Sequence, residues 1–147
     1  MYSSADDMIS QFGVVEMTRL TTPSGQPLVE PNRATIEAAL TQVSAIIDSY
    51  LRRRYQTPVA ASAPELDHMA AHMARYDLAL GDDRQPSQQM IDENRDAVNW
   101  LKSVRDGTVL LDLAVVPSST ESHAAVQTRD EAFGSDVRRV AGWGGVG

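Results

Sequence analysis

The sequence predicts an all-α protein: a small helical bundle organised on one long central helix, with a short strand and an extended C-terminal tail. Three observations lead to this fold class. Apolar residues recur at the helical period without interruption from residue 32 to residue 55. Two further runs with the same period follow, each with a start and a stop signal. A short β-branched, apolar run then lies between a glycine and a proline.

The central helix is predicted over residues 32–55. Asn32 is suited to the N-cap, because its side chain can accept a hydrogen bond from a free backbone N–H of the first turn. We place Arg52, Arg53 and Arg54 in the last turn, where cations complement the exposed carbonyl groups. Pro58 ends the helix, because proline disfavours helical geometry at the residue before it. The apolar stripe consists of Ile36, Leu40, Val43, Ile47, Tyr50, Leu51 and Tyr55.

Two short helices are predicted before the central one. Ser4 can cap the first, over residues 5–12, and Gly13 can break it. The second covers residues 14–20. The prolines and the glycine of the next segment indicate a loop that leads to the central helix.

Two longer helices are predicted after the central one. The first covers residues 65–80, with Pro64 suited to its first position and Gly81 to its end. Its expected apolar stripe is Leu66, Met69, Met73, Tyr76 and Leu80. The second begins after the cap residue Ser87, runs to about Arg105 and ends at Gly107. Its expected stripe is Met90 or Ile91, then Ala97, Val98, Leu101 and Val104, with Trp100 beside it.

The segment Thr108–Val116 is predicted to be the short strand, because it is short, apolar and rich in β-branched residues. A lone strand leaves its edge hydrogen bonds unmade, so we expect it to need a partner such as a neighbouring subunit. The residues after it are polar and then glycine-rich. We therefore divide the chain into a helical domain, residues 1–116, and an extended C-terminal docking tail, residues 117–147.

Composition and charge exclude several classes of protein. The chain has 147 residues, which favours one domain, and no cysteine, which excludes disulfides, thiolate metal sites and cysteine nucleophiles. Its net charge of −7 argues against wrapping nucleic acid. No secretory signal and no apolar run of membrane-spanning length are found, so we expect synthesis in the cytoplasm and no membrane partner.

Two motifs invite a chemical interpretation that their surroundings do not support. His68 and His72 are one helical turn apart and could face one metal ion, but only the distant His123 could add a third imidazole. Gly142, Gly144 and Gly147 spell a dinucleotide-binding pattern, yet no helix follows them to hold a pyrophosphate. We expect neither an enzyme nor a cofactor. A metal-dependent enzyme built on the two histidines stays an alternative.

The run Arg52–Arg54 has two interpretations. The simpler one is complementation of a helix end together with ion pairs or a subunit contact. The alternative is a phosphate contact, which would make the chain a small helical DNA-binding or regulatory protein. The acidic charge of the rest of the chain favours the first interpretation.

The order and spacing of core and turn residues resemble a Mu-like prophage family, once defined only as a domain of unknown function. The similarity covers roughly residues 2–107. Near the N-terminus it is carried by Tyr2, Asp6-Asp7-Met8-Ile9, Phe12-Gly13, Glu16 and Leu20-Thr21. In the central helix it is carried by Ala38-Ala39-Leu40, Ile47-Asp48-Ser49-Tyr50-Leu51, Arg54-Tyr55 and Pro58. Beyond that helix it is carried by Pro64, Leu66, Ala74-Arg75-Tyr76, Ala97, Trp100-Leu101 and Gly107.

This family is similar to the head–tail adaptor, or head-completion, proteins of tailed phages. The resemblance implies a structural subunit of the virion neck that forms a ring, usually of twelve copies. Such a ring connects the portal protein to the tail-side stopper and terminator proteins, and DNA passes through its channel without specific binding. We expect the subunit and portal interface to involve Arg52, Arg53, Arg54, Val109, Leu111, Leu113, Val115, Phe133, Arg138, Arg139 and Trp143.

Overall fold

A computed structural model describes residues 1–61 and 63–116 of the chain. It contains the helices α1 (Ala5–Phe12), α2 (Val14–Thr21), α3 (Arg33–Leu51), α4 (Pro64–Ala79) and α5 (Gln88–Asp106). These described ranges contain no β-strand, so the predicted all-α class is confirmed. None of the five helices is both long and apolar enough to cross a lipid bilayer. Residues Met1–Ala114 form one compact unit.

The helix starts follow the predicted capping residues. The Ser4 side chain accepts a hydrogen bond from the backbone N–H of Asp7, and the Asp7 carboxylate accepts one from the backbone N–H of Ser4, which completes a capping box. Asn32 caps α3 through the backbone N–H of Thr35, and Ser87 caps α5. Pro64 is the first residue of α4. Local sequence therefore determines where these helices begin.

The core lies where α3 packs against both α4 and α5. The helices α1 and α2 contact each other and cover one side, where α1 contacts α3 and α2 contacts α4. The buried face of α4 differs from the predicted apolar stripe. Leu80 is exposed and Tyr76 is only half-buried. In their place α4 buries the small residues Ala70, Ala71, Ala74 and Ala79, together with Leu66, Met73 and Leu78. Alanine side chains let α4 lie close to its neighbours.

The central helix is shorter than predicted, since α3 ends at Leu51. The three arginines therefore do not form its last turn, which is a correction to the sequence interpretation. The backbone N–H groups of Arg54 and Tyr55 both donate to the carbonyl oxygen of Leu51 in a tight turn, at 2.9 Å each. This turn directs Tyr55 into the core, where it is almost fully buried. The chain therefore leaves the helix after Leu51 and buries the Tyr55 side chain instead.

The predicted strand Thr108–Val116 is not formed, and this is a second correction. The segment is irregular, and its backbone finds other hydrogen-bond partners. The N–H groups of Thr108 and Val109 donate to the carbonyl oxygen of Ser103, at 2.9 and 3.2 Å. The N–H of Leu111 donates to the Tyr55 hydroxyl at 2.8 Å. With these bonds made, the segment satisfies part of its backbone without a partner strand.

The side chains of this segment nevertheless alternate between the core and the solvent. Val109, Leu111 and Leu113 are half-buried against the core, whereas Leu110 is 74% exposed. The carbonyl oxygen of Ala114 accepts a hydrogen bond of 2.9 Å from the backbone N–H of Gln56. The residues after α3 therefore hold this segment on the surface of the helical body.

Candidate interaction surface

Arg54 caps the C-terminus of α5, which the sequence interpretation did not foresee. Its Nε atom donates to the carbonyl oxygen of Arg105 at 3.0 Å, and its Nη2 atom donates to that of Asp106 at 3.4 Å. These carbonyl groups lack partners within the helix and carry the negative end of the helix dipole. Helix-end complementation by an arginine does occur, but on a different helix from the one predicted.

Arg52 and Arg53 remain exposed after the turn. Among residues 1–61 and 63–116, the Arg52 side chain makes only a long contact of 3.5 Å, from its Nε atom to the carbonyl oxygen of Asp48. These two cations are therefore available to a partner, whereas Arg54 is occupied by the backbone of α5.

A surface groove runs between the segment Val109–Leu113 and the start of α4. Residues Ala63–Glu65 form its other wall and Trp100 its floor, with a volume of about 540 Å³. A second hollow of about 360 Å³ shares Trp100 and lies between α4 and α5. We call the combined surface the Trp100 groove, lined by Ala63, Pro64, Glu65, His68, Met69, His72, Glu93, Asp96, Ala97, Trp100, Val109, Leu110, Leu111, Asp112 and Leu113. Three predicted interface residues, Val109, Leu111 and Leu113, are thus brought together here.

The lining of the Trp100 groove is both apolar and acidic. Four carboxylates line it, from Glu65, Glu93, Asp96 and Asp112, and none of its lining residues is lysine or arginine. Met69, Trp100 and the leucines supply apolar surface between these charges. The groove is therefore suited to a segment that combines apolar side chains with positive charge.

His68 and His72 lie at one end of the groove and contact each other edge to face, with ring centroids 4.4 Å apart. The Nδ1 atom of His72 is 3.3 Å from an Oε1 atom of Glu93. Burial lowers the pKa of His72, and the nearby Glu93 carboxylate opposes this shift. Residues 1–61 and 63–116 contain no group of three side chains placed to hold a metal ion. His123 lies outside them.

An ion-pair network that the sequence did not reveal joins three helices beside these histidines. Arg75 on α4 donates from Nη2 to Glu16 on α2 at 3.2 Å and from Nη1 to Glu93 on α5 at 3.1 Å. Its Cζ atom also lies 4.6 Å from the ring centroid of Phe12 on α1. The Arg75 side chain is only 13% exposed, so through its ion pairs and its contact with Phe12 it connects four helices. Its partners are too far apart in sequence for a local pattern to show them.

Several predicted interface residues are not placed by the structure. Phe133, Arg138, Arg139 and Trp143 lie outside the described residues, as does the glycine pattern of residues 142–147. Val115 is described and is exposed. These positions stay predictions.

Comparison with known proteins establishes the family. A family model described as "Bacteriophage Mu, Gp36" matches residues 2–129. The chain belongs to the bacteriophage Mu Gp36 family. Over 106 residues it is 31% identical to "Gene product J" of Escherichia phage Mu, and the alignment covers 72% of each chain. It is also 26% identical over 142 residues to "Mu-like prophage FluMu protein gp36" of Haemophilus influenzae, with 95% of this chain and 96% of the relative covered.

The family match confirms the resemblance to Mu-like prophage proteins. It also extends further than the sequence interpretation did, because the Gp36 model continues to residue 129. The first part of the predicted tail therefore belongs to the sequence that this family shares.

Proposed function

We propose that this Gp36-family protein is a structural head–tail adaptor, or connector, of a Mu-like phage. In this role it is a non-enzymatic subunit of a ring of twelve copies between the portal protein and the tail-side stopper and terminator proteins. The subunits are made in the host bacterial cytoplasm and end up in the virion neck. DNA passes through the ring without specific binding.

The observation that carries this proposal is the family match, which spans most of the chain and includes a protein of phage Mu itself. The resemblance of residues 2–107 to head–tail adaptor proteins supports this specific role. The structure supports a binding role through the Trp100 groove, which offers apolar and acidic surface to a partner. The net charge of −7 is compatible with a DNA channel, because like charges oppose sticking of DNA to its wall.

The competing DNA-binding role has less support. It relies on the Arg52–Arg54 cluster, in which the Arg54 guanidinium is already bound to the last carbonyl groups of α5. Only Arg52 and Arg53 then remain for phosphates on an acidic chain, and two contacts provide little counterion release.

Native mass spectrometry of the protein, alone and after mixing with the matching portal protein, tests the adaptor proposal. We expect addition to the portal in ring stoichiometry, whatever the assembly state of the free protein. A protein that ignores the portal and instead binds duplex DNA in a salt-sensitive manner would favour the regulatory alternative.

Deletion of residues 117–147 tests the role of the tail. We expect the truncated chain to remain folded, because the core lies between Tyr2 and Val104, and to lose ring formation or portal binding. Circular dichroism checks the fold. If the truncated protein adds to the portal as the full chain does, the docking role of the tail is wrong.

A further inference from the structure

We propose that the Trp100 groove binds residues 133–143 of a second copy of this chain, so that each subunit holds the tail of its neighbour. This inference rests on the proposed ring, and it names the contact that closes it. The groove and the segment are complementary in chemistry, in reach and in the symmetry of the contact that they would make.

The chemical complementarity follows from the two sequences. Residues 133–143 carry the apolar side chains Phe133, Val137, Val140 and Trp143. They also carry Arg138 and Arg139 against a single acidic residue, Asp136, so the segment is net positive in a chain of net charge −7. The groove has four carboxylates and neither lysine nor arginine among its lining residues, which include two histidines. Glu93 already pairs with Arg75 and Asp96 with Arg95, whereas Glu65 and Asp112 form no ion pair among the described residues. Attraction between the arginines and this lining would fix the position of the apolar anchors.

The reach of the tail is sufficient for a neighbouring copy. The residues between Val116 and Phe133 can extend over roughly 50 Å, at about 3.3 Å per residue. A compact body the size of Met1–Ala114 has a diameter of roughly 35 Å, from the usual scaling of the radius of gyration with chain length. The tail can therefore span from one body to the next.

The symmetry of the contact fits a ring. A groove on one copy and a tail on the next are different surfaces, so the contact is heterologous. Heterologous contacts generate a ring where their rotation closes and an open filament where it does not, whereas a contact between identical patches stops at a dimer. Tail exchange is therefore the kind of contact that the proposed ring requires.

A peptide-binding experiment tests the groove directly. Trp100 is the only tryptophan of residues 1–116, because the second tryptophan of the chain is Trp143. A peptide of residues 132–147 with Trp143→Phe, which keeps the net positive charge of the segment, is titrated into the body of residues 1–116, which contains the core from Tyr2 to Val104. We expect a saturable change in Trp100 emission. Arg138→Glu with Arg139→Glu in the peptide should weaken binding at least tenfold.

Matched charge reversals locate the site. Asp96→Arg with Asp112→Arg places two cations in the groove at exposed positions and should also weaken peptide binding at least tenfold. Glu30→Arg with Glu37→Arg makes the same change in net charge at exposed positions that do not line the groove, and should leave binding within about twofold. Equal losses in both double variants would show non-specific attraction and overturn the groove assignment.

Native mass spectrometry of a mixed sample decides between exchange and self-docking. The full chain with Asp96→Arg and Asp112→Arg keeps its tail but has an impaired groove. The body of residues 1–116 keeps the groove but lacks the tail. We expect the two to form a complex that neither forms alone. If the unaltered full chain is instead a monomer whose Trp100 is already shielded, the tail docks on its own body and the proposal is wrong.

The adaptor role and the tail exchange can fail separately. If the full chain adds to the portal in ring stoichiometry while the peptide does not bind the groove, the adaptor proposal stands and tail exchange is overturned. If the peptide binds but the full chain ignores the portal, the groove contact is supported and the adaptor role is rejected.

Discussion

The guanidinium of Arg54 occupies the space that a side chain at Gly107 would need. A Cβ atom at position 107 would lie 2.7 Å from the Cζ atom of Arg54, closer than real contacts allow. Gly107 also has a φ of 89°, in the region that glycine favours. The turn after α3 and the end of α5 therefore fit together only because this residue has no side chain.

Gly107→Ala should lower the free energy of unfolding by about 2 kcal/mol, because it combines backbone strain with displacement of Arg54. Gly25 is the matched control, since it also has a positive φ, of 83°, but no atom within 4 Å of a Cβ there. Gly25→Ala should cost only about 1 kcal/mol. Urea denaturation measures both. A smaller loss in Gly107→Ala than in Gly25→Ala would contradict the close approach of Arg54.

Tyr55→Phe should loosen the segment after α5. The variant keeps the buried ring but removes the acceptor of the 2.8 Å hydrogen bond from the Leu111 amide. We expect a loss of about 1 kcal/mol in unfolding free energy and faster hydrogen exchange at Leu111. Tyr50→Phe is the control, because the Tyr50 hydroxyl makes no hydrogen bond within residues 1–61 and 63–116. Unchanged exchange at Leu111 in Tyr55→Phe would show that other contacts hold the segment.

Arg75→Met should destabilise the protein by about 2 kcal/mol. It retains the apolar stem but leaves Glu16 and Glu93 facing each other, partly buried and without a cation. Arg95→Met is the control, because the Arg95 side chain is 61% exposed and, within the described part of the chain, pairs only with carboxylates of its own helix. That change should cost less than about 0.5 kcal/mol. Equal unfolding free energies for the two variants would mean that the network contributes little.

Stability should fall as the pH drops below the ordinary pKa of histidine, about 6.5. The pKa of His72 is lowered by burial, so the unfolded chain binds a proton at a pH where the folded chain does not. The loss begins near pH 6.5 and levels off once folded His72 is protonated. Electrostatic interactions with Glu93, His68 and Arg75 also shift the pKa of His72 and so affect the pH at which the loss levels off.

His72→Gln should remove this part of the pH dependence, whereas His68→Gln, at an exposed position on the same helix, should retain it. Urea midpoints between pH 5 and pH 7.5 compare the two variants with the unaltered protein. A His72→Gln protein that loses stability with the same slope as the unaltered protein would assign the effect to another group.

The helices could be predicted from the sequence because their signals are local. Ser4, Asn32 and Ser87 cap helices through backbone groups three residues away, and Pro64 and Gly107 mark a start and an end by their own backbone preferences. Such signals act within one turn of chain, so a single sequence contains them.

The features that could not be predicted depend on partners distant in sequence. Arg54 meets α5 across 51 residues, and the Leu111 amide finds the Tyr55 hydroxyl across 56. The short, apolar, β-branched run of residues 108–116 predicted a strand, which is not formed. It could not show that a tyrosine side chain, rather than a second strand, would supply a hydrogen-bond partner.

The position of the buried core along the chain has a consequence for synthesis. Among the described residues, Val104 is the last member of the buried core, and 43 residues of the sequence follow it. At translation rates of about 5–20 residues per second, those residues take roughly 2–9 seconds to make. Helical domains rich in local contacts fold in microseconds to milliseconds. Folding of the body is therefore fast compared with translation, so synthesis rather than folding determines how soon a subunit is ready to join another copy.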